Sequence, residues 1–277
     1  MRKALFFTLI ILPFCLGAAR AQDTKIVFLH HSTGGLIYND GKVAKLIQEY
    51  NQKNGVNYSI SEKNFPDKPY VWANYPFDYW NIWINGYCGK QKQSPNYPSV
   101  ACLEDICSAN NVIILKHCYP GADILEDTGT PAVNASRKSL ENYKMQYRAL
   151  REKFREFPNN DFIIWTLAPR HRLDANSPAN AGRAKEFVDW VKNEWLTEEG
   201  KTYQNIHIFD YFSLSAEMQP TSAPPRIPYT LKYEYERAHD QDDSHPNKLA
   251  SEEIGPQFFQ FIINTINKRN GRLAKSS

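Results

Sequence analysis

Five short apolar segments alternate along the chain with longer segments whose apolar residues follow helical spacing. The short segments read KIVFLH, VNYSI, NVIILK, DFIIWTL and NIHIFDYF, at residues 25–30, 56–60, 111–116, 161–167 and 205–212. The first, third and fourth are almost continuously apolar, which is typical of parallel strands that are covered on both faces. The pattern therefore predicts a parallel sheet.

The longer segments predict helices between these strands. They cover residues 40–53, 99–110, 136–157, 180–196 and 247–268. Within them apolar side chains recur every three or four positions and form one stripe. Strands that alternate with helices require right-handed crossovers. We therefore predict a three-layer α/β/α sandwich with a five-stranded parallel sheet in flavodoxin-like order.

The first 21 residues have the pattern of a secretory signal peptide. Arg2 and Lys3 precede an apolar core at residues 4–16, and Ala19-Arg20-Ala21 forms a small-x-small cleavage site. The apolar core is shorter than a typical membrane-spanning helix. We expect a secreted or periplasmic protein with no membrane span after cleavage and a single domain over residues 22–277.

The charge balance argues against a nucleic-acid partner. The formal net charge is +3, from 33 basic and 30 acidic residues, and the predicted leader contains Arg2, Lys3 and Arg20 but no acid. Basic and acidic residues therefore balance at 30 each in the mature chain. Nucleic-acid binding normally needs a strongly basic face.

Four cysteines follow the leader, namely Cys88, Cys102, Cys107 and Cys118. An even number in an exported chain predicts disulfides, and the sequence leaves their pairing open. A zinc site is the alternative, but the spacing contains no C-x-x-C pair.

An aromatic-rich insertion around residues 61–98 interrupts the alternation, as does a second long stretch at 213–244. Long loops in compact domains are usually functional. Trp72, Trp80 and Trp83 in the first stretch are candidates for a platform on which a sugar ring stacks. Protein cores use the same rings, and the three-residue spacing of Trp80 and Trp83 favours one helical stripe that packs inward.

Ser32 is the first candidate for chemistry. It follows the first predicted strand and precedes Gly34, Gly35 and a helix. A serine at such a turn can expose its hydroxyl as a nucleophile, and its own N–H can face an anion. The simpler interpretation is a polar residue that begins a turn.

The second candidate is the segment HDQDDSHPN at residues 239–247, just before the last helix. Asp242 lies three residues before His245, so its carboxylate can hold Nδ1 of the imidazole and leave Nε2 free as a base. A helix-start cluster also explains the acids, Pro246 and Asn247, but it does not require a histidine.

A serine after the first strand and an Asp-x-x-His before the last helix resemble the SGNH/GDSL hydrolases. The predicted order of strands and helices resembles the family over the whole mature chain, whereas the residues themselves match only in these two motifs. It implies that Ser32 is the nucleophile, His245 the general base and then acid, and Asp242 the orienting carboxylate. It also implies an ester substrate, often an acetyl group on a sugar.

The chain departs from the family at the oxyanion hole. The family usually has Gly-Asp-Ser where this chain has His30-His31-Ser32, and usually has Gly-x-Asn after the third strand, where this chain has LKHCYPGAD. Lys116, His117 and Asn85 are candidates to replace the missing donor. Gly86 is a candidate for the glycine that the family usually has after the second strand, and His31 stands where the family has an acid beside the nucleophile.

A basic group ends the fourth predicted strand. Arg170, His171 and Arg172 are consecutive there. They fit either a solvated loop or a site for an anionic group such as a uronate carboxylate.

Three functions remain open from sequence. The leading one is a serine esterase that hydrolyses an acetyl or methyl ester on a carbohydrate, with no metal and no organic cofactor; an acyltransferase would use the same triad. A non-catalytic carbohydrate-binding protein on the same fold is the second. A metal-dependent hydrolase is the third, although no H-E-x-x-H spacing supports it. Its ligands would come from His30, His31, His117, Asp240, Asp242, Asp243 and His245.

Overall fold

The computed structural model describes residues 23–68, 70–92, 100–175, 177–220 and 222–276. The predicted signal peptide lies outside these residues. The strands are β1 (Asp23–His30), β2 (Asn57–Asn64), β3 (Val112–Leu115), β4 (Asp161–Trp165) and β5 (Ile206–Phe209). They form one parallel sheet in the order β2-β1-β3-β4-β5. The predicted α/β class, strand number and flavodoxin-like order are confirmed.

Nine α-helices surround the sheet in the described part of the chain. They are α1 (Ser32–Asp40), α2 (Val43–Asn54), α3 (Pro76–Trp83), α4 (Tyr87–Lys92), α5 (Leu103–Ala109), α6 (Leu140–Arg155), α7 (Pro178–Asn193), α8 (Tyr211–Ser215) and α9 (Lys248–Ser276). Side chains alternate between the two faces of each strand. Ile26 and Phe28 face α1, α2 and α9, whereas Val27 and Leu29 face α3, α5, α6 and α7.

A close backbone contact between two glycines fixes α9 against α1. A Cβ atom on Gly255 would lie 2.6 Å from the Cα atom of Gly41, so neither position has room for a side chain. Because Ser32 begins α1 and His245 precedes α9, this contact brings the two candidate catalytic segments together from opposite ends of the chain.

One disulfide joins Cys88 to Cys102, while Cys107 and Cys118 are free and buried. The prediction of disulfides is therefore confirmed for one pair, Cys88 and Cys102. The disulfide connects α4 to the residue that precedes α5, within the region that packs against α3 and α6.

Candidate active site

Ser32 is the first residue of α1 and its side chain is exposed. The chain turns sharply from β1 into this helix, and a Cβ atom on Gly34 would lie only 2.5 Å from the Cβ atom of His30. Gly34 and Gly35 donate their N–H groups to the carbonyl of His31. The N–H of Ser32 is one of the first in the helix, where no carbonyl of the preceding turn can accept it.

His245 contacts Ser32 directly. Its Nε2 atom lies 2.7 Å from Ser32 Oγ, and its Nδ1 atom lies 2.5 Å from Asp243 Oδ1. The backbone N–H of His245 donates to the same carboxylate oxygen at 3.0 Å. The three side chains thus form one hydrogen-bonded series from carboxylate to imidazole to hydroxyl.

The carboxylate in this series belongs to Asp243, and the prediction of Asp242 is wrong on this point. Asp242 is exposed and lies one residue further from the imidazole along the chain. Partial burial alone raises the pKa of Asp243, but the hydrogen bonds from His245 and the charge of Arg237 outweigh it and lower the pKa. Asp243 is therefore ionised at neutral pH.

Ser244 holds this segment against the loop that follows β4. Its Oγ atom accepts the N–H of His171 at 2.8 Å and donates to Asp174 Oδ2 at 2.5 Å. Arg170 Nε donates to the same Asp174 oxygen at 2.9 Å. Asn247 adds a second anchor, because its side-chain amide donates to the carbonyl of Glu236 at 3.0 Å.

Arg172 and His171 pair with a buried carboxylate, so they do not form an anion site or a solvated loop. The side chain of Glu236 is fully buried; its oxygens lie 3.0 Å from Arg172 Nε and 3.1 Å from His171 Nε2. His239 Nδ1 lies 2.8 Å from the same carboxylate. This ion-pair group connects the end of β4 to the segment that leads to His245.

Glu236→Gln is expected to lower the free energy of unfolding by about 3 kcal/mol, because it leaves Arg172 buried without its counter-charge. Urea unfolding of the two proteins measures this difference. Glu234→Gln, at an exposed glutamate of the same turn, is the matched control and should unfold like wild type. Equal unfolding of Glu236→Gln and wild type would show that the buried ion pairs contribute nothing.

Cys118 contacts the candidate nucleophile from the segment after β3. Its Sγ atom lies 3.7 Å from Ser32 Oγ and 3.4 Å from Thr33 Oγ1. Burial raises the pKa of this thiol, but the nearby charge of Lys116 and hydrogen bonds from Thr33 and Ser32 outweigh it and lower the pKa. A buried thiol with a lowered pKa therefore lies beside Ser32.

Asn74 fixes this cysteine in place. The side-chain oxygen of Asn74 accepts the N–H of Cys118, and its amide donates to the carbonyl of Phe65 at 3.2 Å. Asn74 is fully buried and has φ of 54°, a left-handed conformation that asparagine adopts more readily than most residues. Nothing in the local sequence marks this role, because the contact joins two distant loops.

Two of the residues predicted to contact the oxyanion, Lys116 and His117, lie in the protein interior. Lys116 and His117 are both fully buried on opposite sides of the extended segment: Lys116 lies near Gly34, and the His117 ring contacts Tyr79 and Tyr147. Burial, and then the charge of Lys116, lowers the pKa of His117 to about 3. His117 is thus a neutral core residue, and the prediction of it as a donor at the site is wrong.

Asn85 and Gly86 follow α3, at its end. The Asn85 amide donates to Asn81 of α3 at 2.8 Å. Gly86 has φ of 78°, a conformation that favours glycine, in the turn between α3 and α4. The described contacts do not connect either residue to Ser32.

His31 and Trp72 form a stacked pair next to Ser32. Their ring centroids are 3.7 Å apart, and His31 Nε2 donates to the carbonyl of Pro66 at 2.7 Å. Burial is the main cause that lowers the pKa of His31 to about 4, so the ring is neutral at pH 7. Trp72 remains 39% exposed, and Val71 beside it is 94% exposed.

The other two tryptophans of the predicted platform belong to the core. Trp80 and Trp83 are 6% and 4% exposed, and the Trp83 ring packs against Phe65, Tyr79 and Phe154. The alternative of a helical stripe is thus correct for these two residues. Tyr119, which the sequence did not single out, contacts the imidazole of His245 edge to face, with centroids 5.1 Å apart.

In the described part of the chain, no helix is both long and apolar enough to cross a bilayer. No group of three or more His, Cys, Asp or Glu side chains among the described residues is placed to hold a metal ion.

The chain matches no protein-family model and no curated protein sequence. It is similar to a solved carbohydrate esterase whose active site is described as having divergent catalytic and non-catalytic binding functions. The identity is 10% and the TM-score 0.37, over 86% of this chain and 68% of that one. A likeness this distant does not indicate the function of this chain.

Proposed function

We propose that this protein is an exported serine hydrolase that cleaves an ester, acetyl or methyl, on a carbohydrate. One observation carries the proposal: Asp243, His245 and Ser32 form a continuous hydrogen-bonded series with distances of 2.5 Å and 2.7 Å. Turn chemistry or helix capping alone gives no reason for His245 Nε2 to face a serine hydroxyl from the other end of the chain.

The geometry supports acyl transfer through Ser32. His245 Nε2 takes the hydroxyl proton while Oγ attacks the carbonyl carbon of the ester, and the carbonyl oxygen becomes an oxyanion. The N–H of Ser32, at the start of α1, faces developing negative charge in this step. His245 then gives the proton to the leaving alcohol oxygen, and water repeats both steps to release the acid. Asp243 holds Nδ1–H and stabilises the imidazolium.

Two features support export and a carbohydrate substrate. The predicted leader and the Cys88–Cys102 disulfide both fit an oxidising compartment outside the cytosol. The exposed Trp72 lies beside the nucleophile, where an aromatic ring can contact the apolar face of a sugar.

Covalent labelling of Ser32 by a fluorophosphonate tests this proposal. The expected product is one phosphonate group on the peptide that contains Ser32, formed by the folded protein and not after urea unfolding, because only the folded chain brings His245 to Ser32. Mass spectrometry of the digested protein identifies the site. Ser108, exposed at the end of α5, is the internal control and should stay unlabelled.

Activity in EDTA separates this mechanism from a metal-dependent one. Hydrolysis of p-nitrophenyl acetate and release of acetate from acetylated xylan are expected to be unchanged by EDTA. Activity that EDTA abolishes and added zinc restores would contradict the proposal, as would a folded protein that the fluorophosphonate does not modify.

A further inference from the structure

A polar groove adjoins the candidate nucleophile. Its volume is about 340 Å³, and it lies where β1 and β2 end and α1 begins. It is lined by His30, Ser32, Gly35, Asn39, Glu62 and Asn64. Small-molecule sites range from about 300 to 1,000 Å³, so the groove has room for a group the size of one sugar ring.

The lining consists of polar residues and one glycine, which suits hydroxyl groups better than an acyl chain. Asn39 and Asn64 are exposed, and each amide offers donors and an acceptor. Glu62 accepts from Asn39 Nδ2 at 3.2 Å and contacts His30 Nε2 at 2.9 Å. Because its side chain is 34% exposed, the carboxylate retains free acceptor positions toward the groove.

Gly35 keeps the groove open. A Cβ atom there would lie 3.3 Å from His30 Cε1 and 3.9 Å from Asn39 Nδ2, so a side chain would project between two lining residues. The backbone of Gly35 has no left-handed φ that would require glycine. Glycine at position 35 therefore contributes open space in the groove and not a special backbone conformation.

The carboxylate of Glu62 is the acidic group in the wall of the groove. Burial is the main cause that lowers the pKa of His30, so its imidazole is uncharged and does not cancel the charge of Glu62. A ligand carboxylate in the groove would face this charge a few Å away in partly exposed surroundings.

We propose that this groove is the subsite for the alcohol part of the ester, and that it takes an uncharged sugar ring and rejects a uronate. The proposal rests on the proposed esterase function, because Ser32 forms one wall of the groove. The ring hydroxyls would donate to Glu62 and accept from the Asn39 and Asn64 amides. Repulsion between the carboxylate of a uronate and that of Glu62, a few Å apart in surroundings close to water, is expected to lower kcat/KM about tenfold.

A matched pair of substrates tests the charge selection. Methyl glucoside and methyl glucuronoside, each acetylated at the secondary hydroxyls, differ only at C6. Wild type is expected to release acetate from the neutral glycoside with kcat/KM about tenfold above that for the uronate. Added NaCl should reduce this preference, because salt screens exposed charges; a purely steric selection would not respond.

Two variants assign the preference to the groove. Glu62→Gln removes the charge and keeps hydrogen-bonding capacity, so the preference should fall to about twofold or less. Glu49→Gln, at an exposed glutamate of α2, makes the same change elsewhere and should keep the wild-type preference. Asn64→Ala should raise KM for the neutral glycoside about fivefold, the size expected for one lost hydrogen bond.

Several outcomes overturn the subsite. They are equal wild-type rates on both glycosides, a preference that Glu62→Gln leaves unchanged, and hydrolysis of p-nitrophenyl acetate with neither glycoside cleaved. With any of these outcomes, the esterase function would still be supported if Ser32→Ala no longer hydrolyses p-nitrophenyl acetate. Full activity of Ser32→Ala would instead refute that function.

Discussion

Ser32→Ala is expected to lower kcat/KM for p-nitrophenyl acetate by about 10⁴- to 10⁶-fold, the range seen when a serine hydrolase loses its nucleophile. The reason is that, among the described residues, Ser32 carries the hydroxyl that lies within hydrogen-bond distance of His245 Nε2. The fold should survive, because the exposed Ser32 side chain contacts His245 and Cys118 and no backbone group among the described residues. Initial rates and the thermal midpoint, measured on the same preparations, separate the two effects.

The double variant Ser32→Ala/His245→Ala gives a sharper result. Residues that act as one catalytic unit are strongly non-additive, so the double variant should be no slower than either single variant. Ser108→Ala serves as the matched serine control and should keep wild-type rates. A Ser32→Ala protein with more than about a tenth of wild-type activity would remove Ser32 from the mechanism.

The buried strands could be predicted because two layers of helices cover them. β1, β3 and β4 each present apolar residues to both faces, and the apolar segments of the sequence coincide with these strands to within a few residues. β2 is different, since it is an edge strand. Its second half, residues 61–64, is exposed and polar and owes its extended conformation to pairing with β1. No apolar pattern marks such a segment, so the prediction ended at residue 60.

The aromatic stretch shows a second limit of sequence patterns. Trp72, Trp80 and Trp83 have the same chemistry, and only their surroundings separate them. Trp80 and Trp83 lie on α3, which packs against α6, whereas Trp72 lies before the helix and stacks on His31. The contact of Trp72 with His31, like that of Cys118 with Ser32, joins residues that are far apart in sequence. Spacing along the chain carries no information about them.

The prediction of Asp242 in place of Asp243 has the same cause. Both precede His245 in the segment DDSH, and both can reach an imidazole in some turn conformation. The structure selects Asp243, because the same carboxylate oxygen receives the backbone N–H and approaches Nδ1 of His245. Ser244 fixes this turn by its bonds to His171 and Asp174, which belong to a different part of the chain.

Asp243→Ala is therefore expected to lower kcat by about 10³- to 10⁴-fold, and Asp242→Ala to change it less than twofold. Without Asp243 the imidazole loses the acceptor that fixes Nδ1–H and the charge that stabilises the imidazolium, so Nε2 is no longer held as a base toward Ser32. Asp242 is exposed and has no such contact in the described structure, which makes it a matched control at the adjacent position.

Steady-state kinetics on p-nitrophenyl acetate measure both variants, and fluorophosphonate labelling provides an independent readout. Labelling of Ser32 needs the same base, so it should slow in Asp243→Ala in proportion to kcat and remain at the wild-type rate in Asp242→Ala. The pKa of Asp243 is lowered in the folded protein, so its ionised form persists as the pH falls below the usual range for aspartate. The defect of Asp243→Ala should thus be present across neutral pH. A large loss of kcat in Asp242→Ala, with little change in Asp243→Ala, would instead assign the orienting carboxylate to Asp242.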